Sequence, residues 1–85
     1  MIVTAGSVVR AKAGRDKDMF FVVVKTEEGF AYIADGKRRK LENPKKKNLI
    51  HLQATNTVAA DSMETNRKLR KFLSEYQKEN FMEVI

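Results

Sequence analysis

Apolar and polar residues alternate with period 2 over the first two-thirds of this chain, and with a helical period after that. In Ser7-Val8-Val9-Arg10-Ala11-Lys12-Ala13 short apolar residues are interleaved with basic ones, and Val8 to Ala13 reads as a half-buried strand. Gly14-Arg15-Asp16-Lys17-Asp18 reads as a tight turn into a second strand, Met19 to Lys25, whose first six residues are all apolar. Glu27-Glu28-Gly29 is a turn and Phe30 to Ala34 a third strand. Asp35-Gly36 is the strongest short hairpin signal in the chain, because a type I′ turn needs positive φ at both central residues. It predicts a fourth strand over Lys37 to Leu41, pairing Tyr32 with Arg39 and Ile33 with Arg38. Pro44 marks a break, since proline donates nothing to a ladder, and Leu49 to Gln53 is a fifth short strand. Five short strands joined by turns, with no crossover helices, predict a small antiparallel barrel.

The pattern changes near Ala54. Asp61, three residues before Glu64, forms a capping-box-like helix start, with Ser62 as a competing cap. Leu69, Phe72, Leu73 and Tyr76 then fall on one helical stripe, with Arg67, Lys68, Arg70, Lys71 and Glu75 on the other face. Such a stripe packs on the barrel. The chain therefore divides into a barrel over 1–56 and, over 57–85, an amphipathic helix with an apolar tail. That tail, Phe81-Met82-Glu83-Val84-Ile85, folds back, frays or docks on a neighbour; the sequence does not choose.

Charge sharpens this picture. Residues 1–53 carry 12 Lys and Arg against 6 Asp and Glu, so the whole net charge of +6 lies on the β-rich part, and residues 54–85 balance at 5 against 5. A polyanion is the physical partner of such a surface, with simple solubilisation as the alternative. At 85 residues the chain is one small domain burying roughly 60% of its unfolded surface. It has no cysteine, which removes disulfides, thiolate metal sites and cysteine nucleophiles. Met1-Ile2-Val3-Thr4-Ala5 is too short and uncharged for a signal peptide, and nothing approaches the ~18 apolar residues of a membrane span. A cytoplasmic protein without membrane contact is expected.

Candidate chemistry is concentrated in cations. Lys37-Arg38-Arg39-Lys40 and Lys45-Lys46-Lys47 flank Pro44 and put seven cations within 11 residues. Cations on an edge strand discourage unwanted sheet pairing. That accounts for the first run better than the second, whose like charges repel unless an anion screens them. Phosphate contacts are expected there. Arg15 and Lys17 sit on the Gly14–Asp18 turn, beside Asp16 and Asp18, which can neutralise them locally. Among the strand aromatics at most one of Phe30 and Tyr32 is expected to be exposed for base stacking, with Tyr32 favoured because its hydroxyl tolerates water. The single histidine, His51, is expected on a polar strand face beside Leu49 and Gln53. There is no Walker loop, serine elbow or acidic metal cluster, so no enzyme, cofactor, metal or small-molecule substrate is expected.

Taken in order, Gly6-Ser7-Val8-Val9-Arg10, Ala13-Gly14-Arg15-Asp16-Lys17, Phe21-Val22-Val23-Val24, Ala34-Asp35-Gly36-Lys37, and Asn43-Pro44-Lys45-Lys46-Lys47 before Ile50-His51-Leu52 resemble a known family. It is that of the KOW-domain RNA-binding proteins related to the archaeal and eukaryotic large-subunit ribosomal protein of the L-fourteen-e type. The resemblance covers residues 6–53. It implies an SH3-like barrel and contact with RNA, commonly ribosomal, with ribosomal proteins as possible neighbours. Carried over position by position, it implicates Arg10, Lys12, Arg15 and Lys17 around the first hairpin, and Lys37, Arg38, Arg39, Lys40, Lys45, Lys46 and Lys47 later. Asp18 departs from the family, which usually has a second glycine there. The expected function is RNA binding through basic loops, at ribosomal RNA or the translation machinery. The alternative is a protein-interaction module, an SH3-like adaptor of a transcription or translation complex, using the helix and the apolar tail. A third option is a structural part of a larger particle.

Overall fold

A computed structural model describes residues 3–83; Val84 and Ile85 of the apolar tail lie outside the described residues. The chain forms strands β1 (Ser7–Ala11), β2 (Phe20–Glu27), β3 (Phe30–Ala34), β4 (Lys45–Asn48) and β5 (Leu52–Val58), then helix α1 (Asn66–Glu83). Short 3-10 segments, Leu49–His51 and Ala60–Met63, precede β5 and α1. The strands make one five-stranded sheet in the order β4-β3-β2-β1-β5, with every neighbouring pair antiparallel. A mainly β chain with one C-terminal helix was legible from the pattern.

The uninterrupted apolar start of β2 has a simple cause. Val8 pairs with Val22, and Val9 with Phe21, so successive residues of both strands point to opposite faces. Both faces are covered. On one, Val9, Ala11, Phe21, Val23, Ala31, Ile33 and Leu52 form a buried cluster. On the other, Val8, Val22, Ala34 and Ala59 meet Leu69 and Leu73 of α1, with Phe72 and Tyr76 packed against them. The predicted stripe is therefore the one that docks. Burying Leu69 and Leu73 contributes about 1.5–3 kcal/mol each. Register shifts in β1–β5 and between Val23 and Lys25 of β2 bend the sheet around the first cluster. At the first shift the Thr55 hydroxyl donates to the Val8 carbonyl at 2.7 Å.

Three expectations are corrected. The fourth strand is Lys45–Asn48, not Lys37 to Leu41, so Tyr32 faces Lys46 and Ile33 faces Lys45. Asp35-Gly36 makes no two-residue hairpin. The Asp35 carboxylate accepts from the backbone N–H groups of Lys37 and Arg39, both at 2.9 Å, which holds 35–39 in a local turn. Gly36 (φ +79°) lies directly under the first turn of α1. The Asn66 side chain then clamps the next stretch, accepting from Leu41 N–H at 2.8 Å and donating to Glu42 at 2.7 Å. Second, His51 lies in a 3-10 segment rather than on a strand face, and only β5 from Leu52 onward is extended. Third, Asp61 does not cap the helix. Residues Ala60–Met63 form a 3-10 turn, and the Thr65 hydroxyl accepts from Lys68 N–H at 3.1 Å. Thr65→Ala should cost about 1 kcal/mol and lower the melting temperature by roughly 4–8 °C, with Thr65→Ser close to the parent in the same melt.

Candidate nucleic-acid interface

The Gly14–Asp18 turn is built from the backbone up. Asp18 N–H donates to Ala11 carbonyl at 2.8 Å, Lys17 N–H to Gly14 at 3.2 Å and Met19 N–H to Asp16 at 3.0 Å. Gly14 (φ +81°) and Asp18 (φ +70°) both take the left-handed conformation. Asp18 thus takes a backbone conformation that favours glycine, at a cost of order 1 kcal/mol for a side-chain-bearing residue. Its carboxylate also pairs with Arg10.

This turn is met by β4, about 30 residues further along. Lys45 Nζ lies 3.4 Å from Asp16 Oδ2, and Lys47 Nζ donates to the Ala13 carbonyl at 3.2 Å. Asp16 is only 6% exposed, so Lys45 serves as the counter-charge of a buried carboxylate. Lys45 and Lys47 are half-buried and face the same side as Ile33 and Ala31, whereas Arg15, Lys17 and Lys12 are exposed. Lys12 N–H donates to the His51 carbonyl at 2.8 Å, which ties the 3-10 segment to β1. The turn bearing Arg15 and Lys17 thus adjoins Lys45 and Lys47, whereas Arg10 alternates with the buried Val9 and Ala11 and lies on the face of Val8 and Phe20.

Lys46 alternates to the opposite face. Its ammonium stands 4.5 Å over the Phe30 ring and 3.6 Å from Glu27 Oε2, and Lys25 stands 4.5 Å over the Tyr32 ring. Phe30 and Tyr32 are both half-buried, so the expected difference between them is absent. They are flanked by cations in the same way, as in stacking surfaces for single-stranded nucleic acid. Lys25 was missed by sequence reading; its signal is its place two residues before Glu27 on the β2 face beside Tyr32.

One acid, Glu27, touches this strip. The Tyr32 hydroxyl donates to Glu27 Oε1 at 3.0 Å. That bond, with Lys46 and Lys25 nearby, holds the Glu27 carboxyl below its ordinary range, and the same bond pushes the Tyr32 phenol up. For a carboxyl with lowered folded pKa the interaction is present above the unfolded pKa and lost as pH falls through the folded one. Tyr32→Phe should therefore move the Glu27 titration upward in carboxyl-detected NMR; an unmoved titration would leave the two lysines as the cause.

The run Lys37, Arg38, Arg39 and Lys40 is not brought alongside β3. It lies in the Asp35-centred loop against the start of α1, with Lys37, Arg38 and Lys40 exposed and Arg39 half-buried. The Glu42 carboxyl in the same loop is held below its ordinary range, chiefly by the Asn66 amide. Among the described residues no three His, Asp or Glu side chains gather as metal ligands, and no helix is long and apolar enough to cross a membrane. Comparison with protein-family models and with curated proteins finds no match for this chain.

Proposed function

We propose that this chain is a non-catalytic RNA-binding module of the KOW type, an SH3-like barrel that contacts ribosomal RNA or the translation machinery in the cytoplasm. The observation that carries the reading is β4. Its three lysines link the turn that bears Arg15 and Lys17 to the aromatic strip of Phe30 and Tyr32, so phosphate-binding and stacking groups adjoin across one strand. Cations of this kind neutralise phosphates and position the backbone, while the rings take unstacked bases. The described pairings leave β4 and β5 as the two edges of an open sheet, and the antiparallel order in which β5 returns to β1 is what supports the barrel reading. The apolar stripe of α1 is spent on the sheet, so the protein-interaction alternative would rest on the polar face of the helix and the apolar tail.

In-cell UV crosslinking of the tagged chain, with sequencing of the recovered RNA, tests this. Crosslinks at a defined ribosomal RNA site are the expected result. Diffuse crosslinks over many transcripts would make it a general RNA binder, and recovery equal to an untagged control would overturn the reading.

A further inference from the structure

A groove of about 750 Å³ runs between α1 and the start of β2. Its walls include Met19, Phe20 and Leu73, which are apolar, and Ser74 and Gln77, which are polar. Three cations rim it: Lys37 from the Asp35-centred loop, and Arg70 and Lys78 two turns apart on α1. The one carboxylate lining it, Asp35, is nearly buried and already accepts two backbone N–H groups. The ion pairs among the described residues are Arg10–Asp18, Lys45–Asp16, Lys46–Glu27 and Lys68–Glu64, and none of the three rim cations belongs to them.

The balanced charge of residues 54–85 hid this arrangement. On a helical projection Arg70, Ser74 and Lys78 share one flank of the docked stripe, and Glu75 and Glu79 fall on the other. Glu75 and Glu79 line a separate depression beside Thr57. The helix therefore turns a cationic flank toward the groove.

We propose that this groove takes one unstacked nucleotide of a single-stranded RNA, its base against Met19, Phe20 and Leu73 and its flanking phosphates on Lys37, Arg70 and Lys78. The inference rests on the RNA-binding reading and adds a site that the basic loops alone do not supply. The occupant is argued from two things on the molecule. Apolar floor and cationic rim match the two halves of a nucleotide, and Ser74 and Gln77 offer the donor and acceptor groups that read a base edge. The groove is also continuous with the proposed interface. Met19 and Phe20 directly follow the turn bearing Arg15 and Lys17, and Lys37 opens the 37–40 run, so a strand crossing that turn arrives at the groove.

The test uses the full chain, a fluorescein-labelled oligouridylate, an RNA duplex of equal length, and anisotropy titrations over a range of salt. Arg70→Ala with Lys78→Ala removes two exposed side chains and leaves the buried face of α1 intact. Oligouridylate affinity should fall roughly tenfold or more at low salt, and the salt slope should shrink by about 1.4, at about 0.7 per cation on a single strand. The Met19 and Leu73 methyl resonances of the parent should shift with oligouridylate and not with inorganic pyrophosphate. Unchanged oligouridylate affinity and slope in the variant would overturn the groove while leaving RNA binding in place, as would a parent that binds only the duplex. Oligoglutamate displacing the probe as well as unlabelled oligouridylate does would make the occupant an acidic peptide and overturn it too. A parent that binds neither RNA would overturn the RNA reading and this inference together.

Discussion

Gly36→Ala should unfold a large part of the population at temperatures where the parent is folded. A Cβ built on Gly36 falls 2.3 Å from the Asn66 carbonyl oxygen, 3.2 Å from its carbon and 3.0 Å from the Arg70 nitrogen. All three are backbone atoms of α1, so no flexible side chain can move aside. The position also sits at φ +79°, where an L-residue costs about 1–2 kcal/mol. Adding overpacking of about 1–3 kcal/mol gives a loss of roughly 2–5 kcal/mol. That is a large share of the about 5–15 kcal/mol that holds a domain together. Gly29→Ala is the internal control. Gly29 has the same φ of +79° and nothing within 4 Å of the added carbon, so it isolates the backbone cost at about 1–2 kcal/mol. Thermal melts followed by circular dichroism should put Gly36→Ala at least roughly 8 °C below the parent, with Gly29→Ala between them. Two variants with equal melting temperatures would mean that the loop backs away from the helix freely.

The same glycine explains where the sequence misleads. Asp35-Gly36 carries a true turn signal, and both residues are used as such signals are used, one for its carboxylate and one for its positive φ. What a single sequence does not display is the partner. The glycine makes room for the first turn of a helix 30 residues away, so the chain leaves β3 toward α1 instead of folding back as a strand. Elements fixed by local pattern were legible. β3 matches its predicted limits, β2 follows from its apolar run, and Leu69, Phe72, Leu73 and Tyr76 dock as their spacing demands. The helix start was misjudged because Asp61 and Thr65 are both competent caps, and only the packing of the 3-10 turn Ala60–Met63 decides between them.

Of the candidate site, the residue types were legible and their division of labour was not. Lys45-Lys46-Lys47 looks in sequence like one solvated run. In the sheet it splits by strand alternation: Lys45 and Lys47 are tied to Asp16 and Ala13, and Lys46 lies over Phe30. Replacing all three by alanine would mix two effects. Loss of Lys45 leaves the Asp16 carboxylate buried without its cation, and an unsatisfied buried polar group costs about 1–3 kcal/mol in its own right.

Arg15→Ala with Lys17→Ala and Lys46→Ala separates binding from folding, and it should produce the largest change in RNA affinity of any set of three substitutions here. Arg15, Lys17 and Lys46 are exposed, and the one ion pair among them, Lys46 with Glu27, joins two side chains about half open to solvent. Surface pairs of that kind contribute about 0–1 kcal/mol, so the melting temperature should move little. Binding responds differently, because each cation that meets a phosphate releases counterions. Without these three cations, the slope of log affinity against log salt should shrink by about 2–3, at about 0.7 per cation on single strands and about 0.9 on duplex. Affinity at low salt should fall by roughly a hundredfold or more on the same accounting. Titrations of the parent and the variant against one RNA over a range of salt give both quantities. A variant with the parental slope and the parental melting temperature would move the phosphate-binding role off these three residues, and the link that β4 makes between turn and aromatic strip would then serve the fold alone.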